Sequence, residues 1–221
     1  MIPNTSQAKL EGLLLSGRQH KFPKGQVLQF SDDTMMLSIL RSGYVKRYSI
    51  TNDGTQSIQS IYGPGNVFPL TPVFRALFDL KLYLGQETFY YEAMTPVVLH
   101  SVDRTLLETA IADDTDLYKD LLYVCGIRLR SNIQKLENRS LKSASKQLAH
   151  QLVFLAQKFG VPEDNNIVID VPLTHQTLAG LLNLARETVT TNMTRLQEKG
   201  LIKSEPKLTI IDIEGLRKAA S

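Results

Sequence analysis

Cysteine is nearly missing from this chain. Cys125 is the only one in 221 residues, so neither an internal disulfide framework nor a four-cysteine cluster can form within one chain. No apolar run approaches the ~18 residues a membrane helix needs, and the first residues lack the basic-then-apolar order of an export signal. Membrane insertion and export are therefore not expected, and a cytoplasmic location is the default. Charge of one sign is also scarce: the net charge is +3, and Lys and Arg only slightly outnumber Asp and Glu over residues 141–221. Any nucleic-acid binding must rest on where charges sit, not on their sum. The four histidines (His20, His100, His150 and His175) show no metal-ligand spacing, and there is no G-x-S-x-G elbow or phosphate-cradling glycine loop. No enzyme activity, metal or cofactor is expected. His100 and Asp103 read as a local polar pair at a strand end, and His175 falls in the first turn of a helix, where its protonated form is disfavoured. A haem-binding or small-molecule sensor that does not read DNA directly stays open.

What is present begins with 43% hydrophobic residues, enough for two modest domains. Residues 174–202 have the spacing of a helix-turn-helix. Thr174 is a good N-cap, and Leu173 and Leu178 sit where a hydrophobic staple forms. Leu178, Ala179 and Leu182 give the first helix an apolar face, with Ala179 small enough for a close crossing. Asn183 marks the turn, since it tolerates the left-handed backbone that a sharp exit requires. In the second helix Val189, Met193 and Leu196 form a core stripe, which turns Glu187, Thr190, Thr191 and Thr194 outward with Arg186 in the first turn and Arg195 further on. Short polar side chains of this kind suit a DNA groove. A solvated helical hairpin and a protein-interaction module remain alternatives.

Gly200 ends that helix, and two short strands follow on either side of a turn at residues 204–207, as in a β-wing. Lys203 and Lys207 lie there for phosphate contact. The run Ala185-Arg186-Glu187-Thr188-Val189, with Leu196 and Gly200-Leu201-Ile202 behind it, resembles the DNA-binding signature of the Crp/Fnr superfamily of bacterial transcription regulators. The single cysteine argues against that superfamily's oxygen-sensing iron-sulfur branch.

The first hundred residues predict short strands over 27–30, 36–41, 44–49, 56–62, 89–92 and 97–102, separated by turn signals at Gly25, Gly43, Gly54 and Gly63-Pro64-Gly65. An antiparallel roll is expected. The order F-P-K-G-Q-V-L, two glycine hairpins and G-P-G-N-V-F resembles the cyclic-nucleotide-binding-type sensor domain of the same superfamily, so the resemblance covers nearly the whole chain. The ligand cassette departs from that pattern. Pro69-Leu70 stands where the family has Gly-Glu, and Glu87-Thr88-Phe89 stands where it has Arg-Ser-Ala, while neither Arg75 nor Lys81 has matching spacing. A carboxylate facing a phosphate repels it, so cyclic AMP and cyclic GMP are not expected. Phe68, Leu70, Glu87, Phe89 and Tyr91 are candidate lining for another effector's pocket, with a plain roll core as the favoured alternative and an empty sensor domain as a third.

Between roll and winged helix, Asp113, Asp114 and Asp116 are expected near the start of a long helix, where they favour its positive end. Along it Tyr118, Leu122, Cys125, Leu129, Ile133 and Leu136 recur at three- and four-residue steps. One more helix is expected over residues 143–159, with a hinge at 138–143. The reading is an α+β chain: a sensor roll over 1–112, a dimerisation helix over 113–139 and a winged helix-turn-helix over 140–221.

The resemblance implies a homodimer on a palindromic operator in double-stranded DNA, with RNA polymerase as a partner if it activates. It also assigns Arg186 to guanine, Glu187 to a base amino group and Thr188 to a phosphate. The candidate DNA-contacting set is Thr174, Arg186, Glu187, Thr188, Thr190, Thr191, Arg195, Lys203 and Lys207. Thr191 replaces a second base-reading arginine of many members, Thr190 replaces a small residue, and Ala185 replaces the usual Ser or Thr cap, so the half-site preference is expected to differ.

Overall fold

The computed structural model describes residues 8–31, 35–71, 73 and 89–220. They fall into two units: 1–49 with 60–132, and 50–59 with 133–221.

In the first unit α1 (Ala8–Ser16) precedes eight strands: β1 (Arg18–Phe22), β2 (Val27–Leu28), β3 (Leu37–Ser42), β4 (Val45–Ile50), β5 (Gln56–Tyr62), β6 (Val67–Phe68), β7 (Tyr90–Ala93) and β8 (Val97–Val102). The unit division cuts across β4 and β5. The strands form two antiparallel sheets, ordered β1-β8-β3-β6 and β2-β7-β4-β5. Gly43 and Gly54 take φ of +85° and +81° at their turns, a region that costs any side chain-bearing residue energy. Both sides of β3 are covered: Leu37 and Ile39 join Leu10, Leu14, Leu107 and Leu121, whereas Leu40 joins Tyr62, Phe68, Tyr91 and Leu99.

The expected long helix is α3 (Asp116–Ser140), and a separate helix that the sequence did not predict, α2 (Arg104–Asp113), precedes it. Asp113 therefore closes α2 instead of opening α3, correcting the sequence reading. Asp114 holds the break, its carboxylate accepting the Asp116 backbone N–H at 3.0 Å. The N-cap of α2 is Asp103, which accepts from the Leu106 N–H at 2.8 Å. The expected His100–Asp103 pair does not form; His100 instead meets the Leu15 carbonyl at 3.0 Å and Gln19 at 3.3 Å.

The second unit contains α4 (Ala144–Phe159), β9 (Gly160–Glu163), β10 (Asn166–Ile169), α5 (His175–Leu182), α6 (Arg186–Glu198), β11 (Ile202–Lys203), β12 (Thr209–Ile210) and α7 (Ile213–Ala220). Its sheet runs β11-β12-β10-β9, so the expected two-stranded wing is extended by a β9–β10 hairpin. Leu148, Leu152, Leu178, Val189, Met193, Leu196 and Leu216 are buried. No helix among the described residues is long and apolar enough to cross a membrane.

Candidate nucleic-acid interface and helix surface

The interface starts from α5. Thr174 is its N-cap, extended at φ −89° and ψ 161°, with Oγ1 accepting from the Thr177 N–H at 3.0 Å. Asn183 leaves the helix at φ 54° and ψ 45°, the left-handed turn its residue type suggested. Ala185 then caps α6 with extended backbone but no side-chain bond. Val189, Met193 and Leu196 are buried as the stripe predicted. Asn192 is buried too, and was missed; its Nδ2 donates to the Thr188 carbonyl at 2.8 Å.

That packing leaves Arg186, Glu187, Thr190, Thr191, Thr194 and Arg195 exposed, with Thr188 at the margin. Glu187 in the first turn favours the helix dipole. The threonine hydroxyls turn back on their own helix: Thr190 donates to the Arg186 carbonyl at 3.0 Å, Thr191 to that of Glu187 at 3.0 Å and Thr194 to that of Thr190 at 3.2 Å. His175, in the first turn of α5, places Nδ1 2.9 Å from Thr190 Oγ1. With the hydroxyl proton on Arg186, His175 Nδ1–H is the donor. Sequence reasoning weighed His175 as a charge and as a metal or haem ligand, not as a partner of the second helix; the helix-turn-helix spacing, which fixes the first turn of one helix against the next, could have located it.

On the wing, Lys203 is exposed on β11. Lys207 is exposed as well, and its ammonium pairs with Asp170 at 2.5 Å.

The stripe on α3 lies on the side of the helix away from its buried residues. Leu117, Leu121 and Val124 are buried, whereas Leu122, Leu129 and Leu136 are 69%, 61% and 66% exposed, with Tyr118 and Ile133 also exposed. Cys125 is half-buried on this seam, and burial pushes its thiol above the ordinary range, away from the reactive thiolate.

Of the described candidate effector residues, Phe68, Tyr91 and Phe89 are linked through ring stacking and Arg47, whereas Leu70 packs elsewhere. Phe68 and Tyr91 stack at 5.8 Å in one core cluster, and Leu70 packs against the other. Phe89 lies beneath the Arg47 guanidinium at 4.4 Å; Glu87 lies outside the described residues. Arg128 was missed. It follows Leu121 and Val124 on the inner side of α3, and its guanidinium stacks over Tyr62 at 4.5 Å. Burial pushes the Tyr91 phenol well up, with the nearby Tyr62 adding to it and Arg47 and Arg128 opposing.

A two-helix hairpin with an exposed polar second helix, backed by a four-stranded wing sheet, defines a winged helix-turn-helix protein. Residues 146–219 match the family described as Crp-like helix-turn-helix domain. Over 201 residues the chain is 30% identical to the CRP-like cAMP-activated global transcriptional regulator of Mycobacterium tuberculosis, covering 90% of this chain and 86% of that one. It is 27% identical over 191 residues to the global nitrogen regulator of Synechococcus elongatus, covering 85% and 82%. In fold it is similar to a Crp/Fnr-family regulator from Thermus thermophilus, with a TM-score of 0.70, 23% identity and 92% and 98% coverage. FixK2 of Bradyrhizobium japonicum is similar as well, at a TM-score of 0.73, 18% identity and 92% and 97% coverage. The chain belongs to the Crp/Fnr superfamily of DNA-binding transcription regulators.

Proposed function

We propose that this protein regulates transcription as a homodimer that sets α6 of each copy into the major groove of a palindromic operator. The exposed face of α6, with Arg186 and Glu187 at its N-terminal end, carries the reading. Arg186 suits bidentate contact with guanine O6 and N7, and Glu187 accepts from a base amino group. Thr188, Arg195 and Lys203 hold the phosphate backbone, fixing register without reading sequence. Thr174 is committed to its cap and contributes by fixing the approach of α5.

The apolar seam of α3 supports pairing with a second copy, because leucines this exposed lose a favourable burial unless covered. Two recognition helices so joined meet half-sites about one DNA turn, ~34 Å, apart. The M. tuberculosis relative is named for activation by cAMP. Here Glu87 in place of the family's phosphate-binding arginine argues for a different effector, or none.

Selection of bound duplexes from a random pool, with and without cell extract, tests the reading through operator symmetry and effector need. On the selected operator, Arg186→Ala should flatten preference at one base pair and spare nonspecific binding. Lys203→Ala should weaken all sequences alike and lower the salt slope by about one unit. Equal losses on operator and random duplex for Arg186→Ala would contradict base reading.

A further inference from the structure

The recognition helix offers the groove an unusual surface beyond Arg186 and Glu187. Thr190, Thr191 and Thr194 lie on one exposed face, at the three- and four-residue steps that keep side chains together. Each hydroxyl proton is already committed to a carbonyl one turn back, at 3.0, 3.0 and 3.2 Å. Thr190 is doubly held, since its oxygen also faces His175 Nδ1 at 2.9 Å. A threonine in this state donates nothing to a base edge without breaking an existing bond. What the exposed side chain still offers without breaking a bond is its Cγ2 methyl, with its oxygen left as an acceptor only.

The major groove has one apolar group to match: the C5-methyl of thymine, which a threonine methyl recognises by contact. Cytosine in the same place has no methyl and forfeits that contact, so the methyl is what separates the two pyrimidines at this surface. We propose that Thr191, flanked by Thr190 and Thr194, reads thymine methyl groups. The half-site then pairs a guanine at Arg186 with one or two A·T or T·A pairs next to it along the groove. The inference rests on the recognition-helix reading above and names what that surface selects. It also accounts for Thr191 at the place of a base-reading arginine: a cation there asks for guanine, and a tied threonine asks for thymine.

The test uses the full-length protein and its selected operator. Each half-site thymine is replaced in turn by deoxyuridine, which pairs identically and removes only the methyl. One or two such replacements should weaken binding, by roughly fourfold each if a full methyl contact is lost. Thr191→Ser, which keeps the hydroxyl and drops the methyl, should weaken binding similarly and make the protein indifferent to deoxyuridine at the matching position. Thr191→Val, which keeps methyl groups, should preserve the discrimination. Deoxyuridine that is silent at every position, while Arg186→Ala still loses its base preference, overturns the methyl reading and leaves the recognition helix in place. A protein with no sequence preference at all overturns both.

Discussion

Asn183 and Ser57 meet side chain to side chain: in the orientation that pairs both ends of the amide, its nitrogen donates to Ser57 Oγ at 2.9 Å and to the Gly180 carbonyl at 3.2 Å, and its oxygen accepts from Arg139 Nη2 at 3.0 Å. The turn between the two helices is thus held by the segment preceding α4 and by the 50–59 segment, which belongs to the same unit. Asn183 does two things at once. It tolerates the left-handed backbone and ties three elements together.

Gly180 allows this approach. A Cβ there would meet the Gln56 carbonyl oxygen at 2.9 Å and two carbons of Ile58 at 3.0 Å. Ala ordinarily favours a helix interior over Gly by about 1 kcal/mol, but here a backbone atom stands in the way. Gly180→Ala is expected to displace the hairpin segment and to yield no gain in melting temperature. Faster amide exchange over residues 51–59 would show it; unchanged exchange with a higher melting temperature would refute it.

The two caps of the helix pair predict opposite responses. Thr174→Ala removes the bond to the Thr177 N–H and should cost about 1 kcal/mol. Ala185→Ser places a cap on an extended residue that has none and should stabilise by about 0.5–1 kcal/mol. Denaturant unfolding of the full chain measures both, and a destabilising Ala185→Ser would mean the hydroxyl cannot reach the open N–H groups of α6.

Replacing Leu129 and Ile133 together by Glu should halve the sedimenting mass with little change in helical circular dichroism, since both are exposed. Leu121→Glu, on the buried side of the same helix, should instead unfold the roll. A Leu129→Glu, Ile133→Glu protein that keeps a dimer's mass would place the seam elsewhere.

A small acid-sensitive cluster ties α1 to the start of α3. Lys119 and then Lys9 hydrogen-bond the Asp116 carboxylate at 2.6 and 3.0 Å and hold it down to about 2; Lys9, at 2.7 Å, also lowers Asp114. For carboxylates depressed in the folded state, the stabilisation is complete above the ordinary value of 3.8 and is lost as pH falls toward 2. All of these groups are exposed, so added salt should shrink the effect. Carboxyl NMR titration should find Asp116 near 2 in the parent and shifted upward in Lys119→Ala; an identical midpoint in both would disprove the attribution.

The winged helix was legible because its signals are local: a cap, an αL asparagine, a 3.6-residue stripe and a closing glycine each act within a few residues. The outward stripe of α3 was legible for the same reason. Missed features share a different cause. Strand β1 reads Arg-Gln-His-Lys-Phe, with neither alternation nor β-branched residues, and becomes a strand only because β8 supplies its hydrogen bonds. Strand β9 carries Pro162, which is tolerated because it lies at a sheet edge. Asp103 reads in sequence as a partner for His100, but it caps the helix that begins at Arg104. Arg128 hid among apolar neighbours, where only the fold shows that its guanidinium has a ring to rest on.

Strand β1 has one more effect. Lying at the margin of its sheet among the described residues, it carries Arg18 and Lys21, positive charge where bare backbone would otherwise invite a neighbouring polypeptide to add itself. Crowding many copies together should therefore not zip them into fibrous polymers through this border.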